Sequence, residues 1–226
     1  MRSRKARCQK WKLYVITDRA ANKRKSLIEA VGSALEGGAD LIQLRDKQAS
    51  DAELAQAARS LLKMTRLKGV PLIINDRAAV AKESGADGVH LGHEDGNLAE
   101  ARALLGEGAI IGRSTHSEKQ ALEAEREGFD YIGVGPVFAT PTKPGYAPVG
   151  LDLVRFASKN IHIPFVAIGG IDLTNLEEVR RAGDADAVLG VVWELARDSD
   201  LQPCALVRGD VLLRHFFYPA RYAAGG

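Results

Sequence analysis

Eight short apolar runs, most of them followed by a stretch of helical composition, constrain this chain more than any single motif. They are Leu13 to Thr17, Leu41 to Arg45, Pro71 to Asn75, Gly88 to Gly92, Ile110 to Ser114, Tyr131 to Gly135, Pro164 to Gly169 and Ala187 to Val192. The runs are continuous rather than alternating and rich in Val, Ile and Leu, as strands covered on both faces are. Their alternation with helices implies parallel pairing, because a parallel pair needs a crossover between its strands. The clearest helix falls over 51–68, where Leu54, Ala57, Ala58, Leu61, Leu62 and Thr65 trace an i, i+3, i+4, i+7 stripe and Asp51 is the expected N-cap. Ser26 to Glu36 and Ser117 to Glu127 read the same way. Glu36-Gly37-Gly38-Ala39-Asp40, Glu83-Ser84-Gly85-Ala86-Asp87 and Arg181-Ala182-Gly183-Asp184-Ala185-Asp186 each look like a helix C-cap glycine leading into the next strand. Eight such units in 226 residues, 46% of them hydrophobic, predict a single α/β domain closed as a (β/α)8 TIM barrel. An open doubly wound sheet is the alternative.

The expected barrel covers residues 13–201. Ahead of it, residues 1–12 hold Arg2, Arg4, Lys5, Arg7, Lys10 and Lys12 with no acid among them. The whole chain carries +2, so without those six charges the body is mildly acidic at −4. A charge run this short reads as a solvated, disordered arm rather than a nucleic-acid contact. Residues 202–226 include Leu206, Val207, Val211, Leu212, Leu213, Phe216 and Phe217, and no structure is assigned to them. Cys8 and Cys204 show no CxxC spacing, so neither a disulfide framework nor a zinc site is expected. No apolar stretch follows the N-terminal charges, and no run approaches the length of a membrane span. The expectation is a cytoplasmic protein acting on small molecules, with no membrane or nucleic-acid partner; a homo-oligomer is compatible with the composition.

In such a barrel, chemistry sits where strands give way to helices, so polar residues just after strands matter most. Collected from those positions are Thr17-Asp18-Arg19, Gln43-Leu44-Arg45-Asp46-Lys47, Asn75-Asp76-Arg77, His90 to Asp95, Arg113-Ser114-Thr115-His116, Gly135 to Lys143, Gly169-Gly170 and Val192-Trp193. The set contains cations (Arg45, Lys47, Lys143), carboxylates (Asp76, Asp95) and small elements able to cradle phosphate (Thr140, Thr142, Gly169, Gly170). Two aspartates among cations suit Mg²⁺, which is usually held by one or two carboxylates while phosphates and water complete its shell. The plainer roles are an N-cap for Asp76, ahead of a helix starting at Arg77, and a turn before Gly96 for Asp95. His90 lies within the fourth strand, Ser117 rather than His116 best caps the next helix, and His93 has no second ligand at metal spacing. No Ser/His/Asp arrangement is legible.

The ordered motifs LYVITDR, GADLIQLRDK, LIINDR, GVHLG followed by an Asp, IIGRS, GPVFATPTK and VAIGGI, spread from Leu13 to Val192, resemble the thiamine-phosphate synthase family. The resemblance implies a pyrophosphate-releasing transferase in which a thiazole phosphate nitrogen attacks the methylene carbon of a hydroxymethylpyrimidine diphosphate. Carried over residue by residue, it implies that Gln43, Arg45, Lys47, Asn75, Ser114 and Lys143 contact the pyrimidine diphosphate, with Lys143, Ser114 and Arg45 as the catalytic group. Asp76 and Asp95 would hold Mg²⁺, and Thr140, Thr142 and Gly170 the thiazole phosphate. Leu44, Asp46, Pro141, Gly169, Val192 and Trp193 complete the expected substrate-binding set. The chain departs from the family at Gly92-His93, where Gly-Gln is usual, at Val192-Trp193-Glu194-Leu195, where Val-Ser-Ala-Ile is usual, and in the tail from Gln202 to Gly226. Two rivals remain: a thiazole tautomerase on the same barrel, which places a His where this chain has Gly135-Pro136, and a non-catalytic barrel that binds thiazole phosphate.

Overall fold

The computed structural model describes Cys8 and residues 11–17, 26–140, 147–171, 174–183 and 193–194. Its strands are β1 (Tyr14–Ile16), β2 (Leu41–Leu44), β3 (Leu72–Asn75), β4 (Gly88–Leu91), β5 (Ile110–Thr115), β6 (Tyr131–Val134), β7 (Phe165–Ala167) and β8 (Trp193–Glu194). The helices among the described residues are α1 (Leu27–Glu36), α2 (Asp51–Lys68), α3 (Ala78–Ser84), α4 (Leu98–Leu105), α5 (Glu118–Glu127), α6 (Gly150–Asn160) and α7 (Leu176–Ala182). Each strand from β1 to β6 pairs in parallel with the next, and β1 also pairs with β8, so the order is β7-β6-β5-β4-β3-β2-β1-β8. This is the α/β barrel that the repeat implies.

The described part of the eighth strand is Trp193–Glu194. Its register, Val15 with Trp193 and Ile16 with Glu194, sets Trp193 inside the ladder rather than after it. The expected run Ala187 to Val192 is outside the described residues. Ser50, not Asp51, caps α2, and the reason is reciprocal bonding: Ser50 accepts from the Glu53 N–H while the Glu53 carboxylate accepts from the Ser50 N–H at 2.8 Å. Ser26 and Glu29 repeat the device on α1, and Ser117 caps α5 as the sequence suggested.

Alternate strand residues divide between two layers. Val15, Ile42, Leu44, Leu72, Ile74, Val89, Leu91, Ile111, Ile132, Val134, Phe165 and Ala167 pack with the helices, while Tyr14, Ile16, Leu41, Ile73, Ile110, Tyr131 and Val166 fill the barrel. Cys8 and Trp11 belong to the inner group, 0% and 4% exposed, and the Trp11 ring meets Tyr131 edge-on at 5.4 Å. The basic arm is therefore not wholly a solvated tail: two apolar residues within it are worth more inside the barrel than in water, and they close its N-terminal end.

Candidate active site

The inward register that places Leu41 and Ile73 in the barrel carries Gln43 and Asn75 to its C-terminal mouth, two residues on. The mouth holds a cavity of about 280 Å³ lined by Asp46, Lys47, Asn75, Asp76, Arg77 and Asp95. At its centre the Lys47 ammonium lies 3.5 Å from the Asp76 carboxylate. Asp95 accepts the Gly92 N–H at 2.9 Å, and its carboxyl is within hydrogen-bonding reach of Asp76. Burial, then the Asp95 carboxyl, hold Asp76 above the usual carboxylate range, with Lys47 pulling partly the other way. Gly92 makes the meeting possible, because a Cβ there would run into Asp95 Oδ2 and sit 3.9 Å from Asp76 Oδ1.

Asp76 does not cap a helix. The first residue of α3 is Ala78, Arg77 sits at the cap with no side-chain bond, and Asp76 has φ 62, the one positive φ outside glycine among the described residues. Arg77 N–H bonds back to the Asn75 carbonyl at 2.7 Å, closing a three-residue turn with Asp76 at its apex. That turn is rare and strained, and it is the kind of local cost that collects at functional sites.

Two arginines collected at strand ends without an assigned role fasten the loops bearing these groups. Arg77 donates to the carbonyls of Ala49 (2.6 Å), Asp46 and Lys47 and to the Asp51 carboxylate (3.1 Å), drawing the loop after β2 across the end of β3. Arg113 donates to the carbonyls of Gly96 (2.8 Å) and His93 (3.2 Å) and lies over the Phe129 ring, which holds the loop that carries Asp95. The His93 side chain turns to Arg113, its Nδ1 3.5 Å from Nη2. Thr17 steadies Arg45: its hydroxyl accepts the Arg45 N–H at 3.0 Å. Of the expected contacts, Leu44 packs outward into the helix-facing core, and Asp46 Oδ1 accepts the N–H groups of Gln48 and Ala49, shaping its own loop.

Across the mouth, the loop after β6 lies along the end of β7 as a continuation of the ladder, with Val137 N–H to Ile168 carbonyl at 2.8 Å and Phe138 N–H to Gly169 carbonyl at 2.9 Å. Gly169 and Gly170 have φ 96 and 64, and a Cβ on either would strike that loop, at Pro136 for the first and at Ala139 and Phe138 for the second. The glycine pair thus permits close approach of two backbones. Thr140 ends the described part of the loop; Pro141, Thr142, Lys143 and Val192 lie outside the described residues, and of Trp193 only the backbone pairing is described.

Beneath the mouth runs a buried chain of polar side chains. Gln43 Nε2 donates to the Tyr14 hydroxyl, Tyr14 and Tyr131 share a bond of 2.9 Å, Tyr131 meets His90 Nδ1 at 3.0 Å, and His90 Nε2 meets the Ser114 hydroxyl at 3.0 Å. The sequence offered a signal for it: His90, Gly112 and Tyr131 are in register on adjacent strands, and a glycine inside a strand marks a place where neighbours come together.

An α/β barrel whose mouth gathers a lysine, two carboxylates and backbone glycines defines an enzyme of the class that handles small phosphorylated molecules. The family model for thiamine monophosphate synthase matches residues 13–191, and the chain belongs to that family. A thiamine-phosphate synthase of Chloroflexus aurantiacus is 46% identical over 189 residues, covering 83% of this chain and 87% of that one. One of Thermosynechococcus vestitus is 45% identical over 92% of this chain, which spans 58% of that longer protein. The solved structure of thiamine phosphate pyrophosphorylase from Pyrococcus furiosus is 40% identical and superposes with a TM-score of 0.73 over 84% of this chain and 87% of that one. No described helix is long and apolar enough to cross a membrane.

Proposed function

We propose that the chain condenses 4-amino-5-hydroxymethyl-2-methylpyrimidine diphosphate with 4-methyl-5-(2-hydroxyethyl)thiazole phosphate, giving thiamine phosphate and pyrophosphate in the cytoplasm. The carrying observation is the cluster of Lys47, Asp76 and Asp95 at the mouth of the barrel. In this reaction the bond from the methylene carbon to the diphosphate oxygen breaks, its electron pair leaves with pyrophosphate, and the thiazole nitrogen forms the new C–N bond with its lone pair. No protein nucleophile is required. Negative charge grows on the leaving oxygen, so cations fixed beforehand around it stabilise the transition state more than the ground state. Lys47, Arg45 and Lys143 take that role, while Gln43, Asn75 and Ser114 orient the pyrimidine and its diphosphate. Thr140, Thr142, Gly169 and Gly170, with the backbone at Val192 and Trp193, receive the thiazole phosphate; bringing both halves into one mouth supplies the remaining advantage.

The donor set suits Mg²⁺. Among the described residues no group of three His, Cys, Asp or Glu gathers, so Asp76 and Asp95 would hold the ion as a pair of hard oxygen ligands, leaving the rest of its shell to phosphate and water. Burial, and after it the neighbouring Asp95 carboxyl, disfavours a bare charge on Asp76, and that is the electrostatic demand a cation would meet. When bound, Mg²⁺ supplies positive charge to the departing pyrophosphate. The test is direct: incubate the protein with both phosphorylated halves and Mg²⁺ and look for thiamine phosphate by mass. Absence of product under saturating substrates overturns the reading.

A further inference from the structure

The buried polar chain under the mouth joins five side chains from five strands and ends at two residues that the proposed function places against the pyrimidine diphosphate. A phenol has one proton to give, so the orientation of one member directs the rest. Gln43 Nε2 donates to Tyr14 Oη, which leaves the Tyr14 proton for Tyr131 at 2.9 Å and the Tyr131 proton for His90 Nδ1 at 3.0 Å. An imidazole that accepts at Nδ1 carries its proton on Nε2, and that N–H points at Ser114 Oγ, 3.0 Å away. The Ser114 hydroxyl is then free to donate its own proton onward. At the other end, with Nε2 given to Tyr14, Gln43 keeps Oε1 as its acceptor.

We infer that Tyr14, Tyr131 and His90 form a one-way relay that presets the hydrogen-bond polarity of the pyrimidine diphosphate cradle, fixing Gln43 as an acceptor and Ser114 as a donor before substrate arrives. The inference rests on the proposed substrate: an acceptor at Gln43 suits an N–H of the pyrimidine's exocyclic amine, and a donor at Ser114 suits a diphosphate oxygen. Three further observations support it. Burial pushes both phenols, Tyr14 and Tyr131, above their ordinary range, so they stay protonated and able to donate. The His90 ring is seated between two glycines: a Cβ at Gly112 would come within 2.6 Å of Nδ1, and one at Gly133 within 3.4 Å of Cε1. Bonds in a site of low dielectric also reinforce one another along a chain, which favours a single direction over a mixture. These three are positioning residues; none need touch the reacting atoms.

Imidazole ¹⁵N spectra of the full chain without substrates read the direction itself, the His90 signal being assigned by its loss in His90→Gln. The expected result is an unprotonated Nδ1 and a protonated Nε2. A protonated Nδ1, alone or in an imidazolium, overturns the inference whether or not the protein proves to make thiamine phosphate. Tyr14→Phe gives a second reading, since it cuts the relay with loss of one oxygen. The expected effect is a mixture of His90 tautomers and a KM for the pyrimidine diphosphate raised about tenfold, with the KM for thiazole phosphate within twofold of the parent. A correctly folded Tyr14→Phe protein with an unchanged His90 tautomer would equally overturn it.

Discussion

On the β2–β4 side of the mouth, side chains hold side chains and loops: Lys47 on Asp76, Asp95 on the Gly92 N–H, Arg77 on the loop after β2. On the β6–β7 side, backbone holds backbone, and Gly169 and Gly170 are there because nothing larger fits between two loops already bonded to each other. The difference teaches what each side can tolerate. Charged tips can be exchanged or retuned without disturbing the strands beneath them, whereas a single methyl group on the second side meets main chain.

The largest effect should come from Asp76. Asp76→Asn is expected to lower kcat by about 10²–10³, the scale of losing one preorganised electrostatic contact, roughly 2.7–4 kcal/mol, while the fold survives because Asn tolerates positive φ. Asp76→Ala should lose activity and also about 1 kcal/mol of stability relative to Asp76→Asn, since an alanine at φ 62 bears the left-handed penalty. Steady-state kinetics and thermal melts of the two variants check this; equal stability would mean that the turn is not strained.

Gly170→Ala breaks the other side. Adding a Cβ at φ 64, 2.6 Å from the Ala139 carbonyl oxygen, should cost about 1–3 kcal/mol in denaturant unfolding and raise the KM for thiazole phosphate more than that for the diphosphate. Gly92→Ala is the matched probe on the first side. Its nearest conflict is the tip of Asp95 rather than main chain, so stability should change by less than about 1 kcal/mol while the Mg²⁺ concentration needed for half-maximal activity rises. If the two glycine variants are destabilised equally, the contrast between the sides fails.

The smallest effect is on pH. Asp76 has a raised pKa in the folded, metal-free protein, so folding favours its protonated form. That contribution is fully present below the ordinary carboxylate range and is lost as pH rises through the raised value. Chelated protein should therefore lose a little thermal stability from about pH 4 upward, and Asp76→Asn should flatten the profile; a parent profile as flat as the variant's would mean that Asp76 is not held above its ordinary range.

The repeat and the helices were legible because burial on both faces and C-cap glycines leave local marks. The pairing of Asp76 with Asp95 was also legible, as two aspartates at the ends of successive strands. The fastening by Arg77 and Arg113 was not, since an arginine's carbonyl partners lie 17 to 31 residues away and leave no spacing to read. His90 lies within the fourth strand and is buried, as expected, but its bonds at both nitrogens were not legible, because they depend on the register with Gly112 and Tyr131. Cys8 and Trp11 are buried, but in the sequence they are outnumbered by the charges around them and left no mark of that burial.

The pairing of Val15 with Trp193 joins the first strand to the last, and it is only two residues long. Seven strands can zip in chain order, each finding a neighbour made moments before, but this pair must wait for almost the whole polypeptide and recover the entropy of the longest loop in the molecule. Assembly should therefore run through a curved sheet with two raw edges at β1 and β7, the state most open to pairing with another copy. Native-state hydrogen exchange locates that seam: the amides of β1 should open well before those of β4 and β5, and protection as high at Val15 as at Ile111 would mean that the ring opens only when everything does.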